Sequence, residues 1–157
     1  MMNAGYFNVK ELTPCVYFRQ GKQILGHTHP TELYRVDGVF GFTDRKGREM
    51  VVAHCPDSLD YEAVSRKMKS VMASGPLLIL DGDIVVPVLM GDKADGASIY
   101  ETAYICHLFG MTDAINLDGG GSSALWTSTT GVISHPRDNR RFDHEGERTV
   151  PNLIAVY

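Results

Sequence analysis

Asp57–Pro76 reads "DSLDYEAVSRKMKSVMASGP", and the fold class turns on how that stretch is read. Asp57 or Ser58 has a side chain suited to capping the first-turn N–H groups of a helix. Leu59, Val64, Met68, Val71 and Met72 then form one apolar stripe at helical spacing. Gly75-Pro76 places a left-handed position and a breaker at the end. The pattern predicts a helix.

Strand signals surround it. Upstream, "CVYFRQGKQILGHT" has two short apolar runs around "QGK" and predicts a hairpin. Val39–Phe42 and Met50–Ala53 predict a second hairpin, joined through "TDRKGRE", where Asp44 suits a turn and Gly47 a left-handed residue. Downstream, "LLILDGDIVVPVL" sets two apolar runs about an Asp81-Gly82 turn. "SIYETAYICHLFG" predicts another helix, with Ser98 and Glu101 at capping-box spacing and Gly110 at C′. "AINLD" reads as a buried strand, "SSALWTSTTGVIS" as a hairpin and "NLIAVY" as a closing strand. Together these predict an α+β fold, a mixed or largely antiparallel sheet with two helices packed on it. No internal repeat or linker-like shift divides the chain, so residues 1–157 read as a single domain.

Composition narrows the functional classes. The net charge is −4, and the basic cluster Arg137, Arg140 and Arg141 carries Asp138 and Asp143 with it, so nothing points to nucleic acid. No apolar run approaches the about 20 residues of a transmembrane span, and no charged n-region with an apolar h-region opens the chain. The three cysteines, Cys15, Cys55 and Cys106, lack metal-site spacing. Cys106 falls in the apolar pattern of the second helix, where a thiol acts as a small hydrophobe. His27 and His29 would share one strand face, but no further ligand stands at a metal-site spacing. No metal site is predicted.

Two stretches carry chemistry. "NLDGGGSS", Asn116–Ser123, interrupts an apolar run with bare backbone, although glycine weakens a strand and loses more freedom on folding than any other residue. Successive glycine N–H groups can form a nest for an anion, with Ser122 and Ser123 adding hydroxyls and Asp118 a carboxylate. A wide turn or bulge at a sheet corner is the structural alternative. The motif is not a P-loop, because no Gly-Lys-Ser/Thr follows. "HEGERTVPN", His144–Asn152, places Glu147 beside Arg148. That arginine can grip a phosphate or carboxylate in a fork, or form part of a solvated loop ion pair. "NAGYF", Asn3–Phe7, reads as a turn into a strand with an amide within reach of a ligand.

"NAGYF", "SGPLLILDGDIV", "DAINLDGGGSSAL" and "GERTVPNLIAVY", in that order along nearly the whole chain, resemble the phosphodiester glycosidase family. Its members include N-acetylglucosamine-1-phosphodiester α-N-acetylglucosaminidases and many bacterial envelope or secreted proteins. The resemblance implies a glycosidase that hydrolyses a sugar-1-phosphodiester, GlcNAc-1-phosphodiester-like, in a glycan or cell-envelope polymer, and an exported setting. Its partner would be a sugar-phosphate or glycan substrate. No cofactor is implied, although a divalent cation such as Ca²⁺ stays compatible. By position, Asp118 and Glu147 would supply the carboxylate chemistry, with nucleophile and base undivided between them. Gly119, Gly120, Gly121 and Ser122 would bind phosphate or sugar hydroxyls, Arg148 would clamp phosphate, and Asn3 would orient substrate.

The chain departs from the family pattern in its middle. Relatives carry a longer insert there, with a P-R-T-A-x-G-like strand and a D-G-R-like turn. Here "LDGDIVVPVLMGDKADGASIYETA" passes almost directly to the helix, with Gly91-Asp92-Lys93 the nearest counterpart of the second motif. The resemblance thus implies a family segment missing after about residue 90, with a site arginine and a strand, and shortened chain before "NAGYF". A binding relative that has lost part of the active site is the alternative function.

Overall fold

Short apolar runs separated by turn residues pair as antiparallel ladders from the first residues onward. The computed structural model describes residues 1–44, 49–55, 60–87 and 97–155. It opens with β1 (Met2–Asn3), β2 (Phe7–Asn8) and β3 (Thr13–Pro14), then a hairpin of β4 (Phe18–Gln20) and β5 (Gln23–Gly26). A second hairpin follows, β6 (Gly38–Phe42) with β7 (Met50–His54). After the one-turn helix α1 (Tyr61–Val64) come β8 (Ser70–Ser74), β9 (Leu77–Leu80) and β10 (Asp83–Ile84). Helix α2 (Ile99–Leu108), β11 (Ala114–Ile115), β12 (Trp126–Thr127), β13 (Gly131–Val132) and β14 (Leu153–Ile154) complete the order.

Two sheets organise the described residues. The larger runs β5-β4-β8-β6-β7 and the smaller β10-β9-β11, while β1 pairs with β14. All of these pairings are antiparallel, as the α+β expectation required. One core cluster fills the larger sheet with Val16, Tyr17, Val39, Phe40, Val71 and Met72 among its members. A second joins Leu78, Ile79, Val86 and Ala103, seating α2 on β9 and β10.

The predicted helix over 57–76 is overturned for most of its length. Only Tyr61–Val64 is helical, and Ser70–Ser74 is the central strand of the larger sheet. Met72 stands opposite Phe18 of β4 on one side and Phe40 of β6 on the other. Val71, Met72 and Ala73 are all buried, as in a strand covered on both faces. Such a run has no period-2 alternation, and its apolar residues coincide with a helical stripe. Long-range pairing decides the case, because a helix here would leave the inner edges of β4 and β6 without backbone partners. Gly75 then serves close approach rather than helix termination: an added Cβ would collide with the Arg35 carbonyl and lie 2.7 Å from Asp37 Oδ1.

The other local signals hold. Asp81 and Gly82, with φ of +52° and +89°, turn β9 into β10. Ser98 and Glu101 form a reciprocal capping box on α2, and Gly110 takes φ +74° beyond its end. The "SSALWTSTTGVIS" hairpin forms as β12 and β13. The proposed caps Asp57 and Ser58, Leu59, the Gly47 turn, Gly91-Asp92-Lys93 and the last two residues of "NLIAVY" lie outside the described residues. Cys55 is buried, and Cys15 and Cys106 are half-buried. Among the described residues no helix is long and apolar enough to cross a membrane.

Met72, 4% exposed between its two partner strands, gives the direct check. Met72→Ala is expected to cost about 2–5 kcal/mol in urea unfolding. Tyr104→Ala, on the half-exposed face of α2, should stay within about 0.5 kcal/mol. Equal costs at the two positions would contradict a central β8.

Candidate functional site

The glycine corner begins where β11 leaves the smaller sheet. Asn116 fixes that exit: its N–H donates to the Pro76 carbonyl at 3.0 Å, and its amide donates to the Gly75 and Leu117 carbonyls. Ser74 Oγ donates to the Asn116 carbonyl at 2.6 Å, so the end of β8 holds the start of the corner. Asn3 holds the other side. Its Nδ2 donates to the Asp118 carbonyl at 2.7 Å, its backbone N–H reaches the Ala124 carbonyl, and the Asp118 N–H reaches the Ala4 carbonyl. Asn3 and Asp118 are therefore brought together, through backbone on the Asp118 side.

The three glycines have three different reasons. Gly120 takes φ +65°, the left-handed region that side chains resist, and opens the 3₁₀ turn Gly120–Ser122. Gly121 has ordinary dihedrals but no room, since a Cβ would collide with the Asp138 carboxyl group. Gly119 is extended, with φ −117°, and nothing lies within 4 Å of where its Cβ would be. Gly119 alone of the three has neither a positive φ nor a crowded Cβ position.

The turn does point N–H groups at anions, and protein carboxylates meet two of them. Asp118 Oδ1 accepts from the Gly119 N–H at 2.9 Å, and Asp138 Oδ1 from the Gly121 N–H at 3.0 Å. The same Asp138 receives the Arg148 fork, Nε at 2.7 Å and a terminal nitrogen at 2.8 Å. Arg148 also donates its backbone N–H to the Gly121 carbonyl at 2.8 Å. The Arg148 guanidinium holds the Asp138 carboxyl below its usual range, with the Gly121 N–H adding to the effect. The same hydrogen bonds push Arg148 upward. Solvent reaches 32% and 38% of the two side chains, so the pair orients the loop more than it stabilises the fold. Glu147 is exposed, and among the described residues its carboxylate has no hydrogen-bond partner.

Asp138 is the residue that sequence reasoning missed. Beside Arg137, Arg140 and Arg141 it reads as a counter-charge to its neighbours, whereas its partner is Arg148. The only available signal was that the third glycine demands a close neighbour, without saying which. Ser122 is fully buried with its Oγ unpartnered among the described residues, so it is turned inward from solvent. Asn152, also buried, accepts from the Gly5 N–H at 2.8 Å and ties "VPN" back to "NAG". His29 caps the 3₁₀ turn Pro30–Arg35 through the Thr31 N–H. Among the described residues no group of three His, Cys, Asp or Glu is placed to hold a metal ion.

The corner adjoins a cavity of about 610 Å³. Asn3, Asp118, Gly119 and Ser123 are among its polar lining, with Thr102, Asp113, Asn116 and Ser134. Phe40, Val52, Leu78, Ile115, Leu117 and Ile154 are among its apolar lining. Residues 81–157, which contain the whole corner together with Asp138 and Arg148, match the family model of phosphodiester glycosidases. Over those residues, the chain is similar to the phosphodiester glycosidase family. No curated protein and no solved structure matches the chain. The phosphodiester glycosidase match includes Asp118, the glycines, Glu147 and Arg148, and leaves Asn3 outside it.

The separate roles of the glycines are open to measurement. Gly121→Ala should destabilise by about 1–3 kcal/mol through overpacking, and Asp138→Ala in the same chain should relieve it. Gly119→Ala should stay within about 0.5 kcal/mol. Indistinguishable alanine effects at 119 and 121 would sink the assignment.

A carboxyl with a depressed folded pKa contributes stability above its unfolded pKa and loses it as pH falls through the folded value. The Asp138–Arg148 clasp should therefore be complete at neutral pH and open only in acid, below the ordinary aspartate value of about 3.9. The Gly121 amide resonance reports it. A midpoint at the ordinary value would mean the clasp does not form in solution.

Proposed function

We propose that this protein is a hydrolase of a sugar-1-phosphodiester, GlcNAc-1-phosphodiester-like, carried on a glycan or cell-envelope polymer outside the cytoplasm. The observation that carries the reading is one cavity lined by Asp118, Gly119 and Ser123, which lie in the segment similar to the glycosidase family, and by Asn3 from the start of the chain. The sugar–phosphate linkage and the exported setting rest on the family likeness. In the reaction, water adds to the anomeric carbon, the C1–O bond to phosphorus breaks, and a phosphate monoester leaves with the bonding electrons. That leaving group already carries negative charge, so the site needs anion-binding donors more than a strong general acid. The developing oxocarbenium-like centre needs a carboxylate beside it.

Asp118 is assigned that carboxylate role, and Glu147 the second. Gly120 offers its backbone N–H to phosphate or sugar hydroxyls, Gly119 does so by exchanging its bond to Asp118, and Asn3 orients the corner through the Asp118 carbonyl. Gly121 and Ser122 support the turn from within. Arg148 serves phosphate by exchanging Asp138 for it, since the fork that grips a carboxylate also matches a phosphate.

A second reading, a sugar-phosphate binder without turnover, has its own support. The Arg148 fork and the Gly121 N–H are filled by Asp138, and Glu147 is tied to nothing in the corner. Free-sugar release from methyl α-GlcNAc-1-phosphodiester separates the two. Turnover that Asp118→Asn lowers by about 10²–10⁴-fold supports hydrolysis. Saturable binding with no sugar released supports the binder. Turnover untouched in both Asp118→Asn and Glu147→Gln would remove the assignment of the carboxylates.

A further inference from the structure

The cavity is larger and more apolar than a sugar phosphate needs. A sugar and its phosphate are satisfied by hydroxyls, amides and charges. Yet Phe40 and Val52 of the larger sheet, Leu78 and Ile115 of the smaller, and Leu117 form apolar walls, with Thr102, Asp113, Asn116 and Ser134 the polar groups away from the corner. At about 610 Å³ it falls within the range of small-molecule sites, which combine apolar walls with a few convergent polar groups. Polar and apolar parts belong to one continuous space, so a ligand whose charged group sits at the glycine corner would extend its other end along the apolar walls.

We infer that the group esterified to the phosphate is an apolar alcohol, an alkyl chain that lies in this cavity while the phosphate meets the Gly119–Gly120 backbone. The inference rests on the hydrolase reading and names the substrate class of that same site. Continuity with the glycine corner selects the occupant: the aglycone oxygen stays bonded to phosphorus when the C1–O bond breaks, so with phosphate at the corner the group it carries must enter the space adjoining Asp118. A second sugar would set several hydroxyls against the faces of Phe40, Val52, Leu78, Ile115 and Leu117, more than the few polar liners Thr102, Asp113, Asn116 and Ser134 could pair, and unsatisfied polar groups are costly to bury.

The test compares methyl, butyl and octyl esters of α-GlcNAc-1-phosphate with a mannosyl ester. Each added methylene should raise kcat/KM about two- to fourfold until the cavity is filled, and the mannosyl ester should rank with the methyl one. Met50 and Leu125 line the cavity while being 58% and 43% exposed, so charged substitutions there are compatible with folding. Met50→Lys and Leu125→Lys should flatten the chain-length dependence, with circular dichroism melts verifying the fold. Calorimetric titration with octyl phosphate and methyl phosphate gives a second readout that needs no turnover, with octyl phosphate bound at least tenfold more tightly.

The outcomes separate the two readings. Equal kcat/KM for methyl and octyl esters overturns the apolar aglycone and leaves hydrolysis standing. Tight octyl phosphate binding without release of sugar from any ester keeps the apolar site and overturns hydrolysis. A mannosyl ester preferred over the octyl one overturns the inference. So does a stable dimer that Met50→Lys dissociates, because the cavity would then hold a second copy of the chain.

Discussion

Backbone pairing along 70–80 is the constraint on which the rest of the molecule depends. Ser70–Ser74 bonds to β4 on one side and β6 on the other, and passes through Gly75-Pro76 into β9, which carries β10 and β11. The same run holds the start of the glycine corner. Ser74 Oγ donates to the Asn116 carbonyl and the Pro76 carbonyl accepts from the Asn116 N–H, so both backbone groups of Asn116 are held. Asn116, Leu117 and Asp118 thus leave the smaller sheet in a direction fixed by the larger one. A site on a loop gains accuracy when its anchor is a paired strand.

The glycine corner is best understood as an anion-binding turn that the protein itself partly occupies. Asp118 and Asp138 take two of its N–H groups, and Arg148 closes around Asp138. This arrangement keeps the turn and the loop over 138–148 in register in the absence of ligand. Under the proposed function, a phosphate reaches the Gly119 N–H by exchanging with Asp118 and the Arg148 fork by exchanging with Asp138. Asn3 and Asn152 connect this corner to the start of the chain, one through the Asp118 carbonyl and the other through the Gly5 N–H. Residues far apart in sequence therefore share one small frame, with the pairing of β1 and β14 beneath it.

Local chemistry was legible wherever a residue acts within its own turn. Ser98 and Glu101 cap their own helix, Asp81-Gly82 turns its own hairpin, and Gly110 and Gly120 take the positive φ that glycine tolerates. The family motifs were legible for the same reason, since "NLDGGGSS" and "GERTVPN" are contiguous. Misreading came where a long-range partner outweighs local spacing. Val71 and Met72 sit on a helical stripe by spacing, but two neighbouring strands need their backbone hydrogen bonds. Asp138 sits among arginines, but its geometry belongs to Arg148 and Gly121.

The sequence by itself therefore determined the α+β class, the hairpins, the capped helix and the place of the glycine corner. Each of these follows from conformational preferences and hydrogen bonds spanning a few residues. Only the tertiary structure decided that 70–74 is a central strand, that the third glycine makes room for Asp138, and that an apolar cavity adjoins Asp118. Those outcomes depend on which distant backbone edges and side chains meet, and the contact energy of such pairs exceeds the small local preference either segment carries alone.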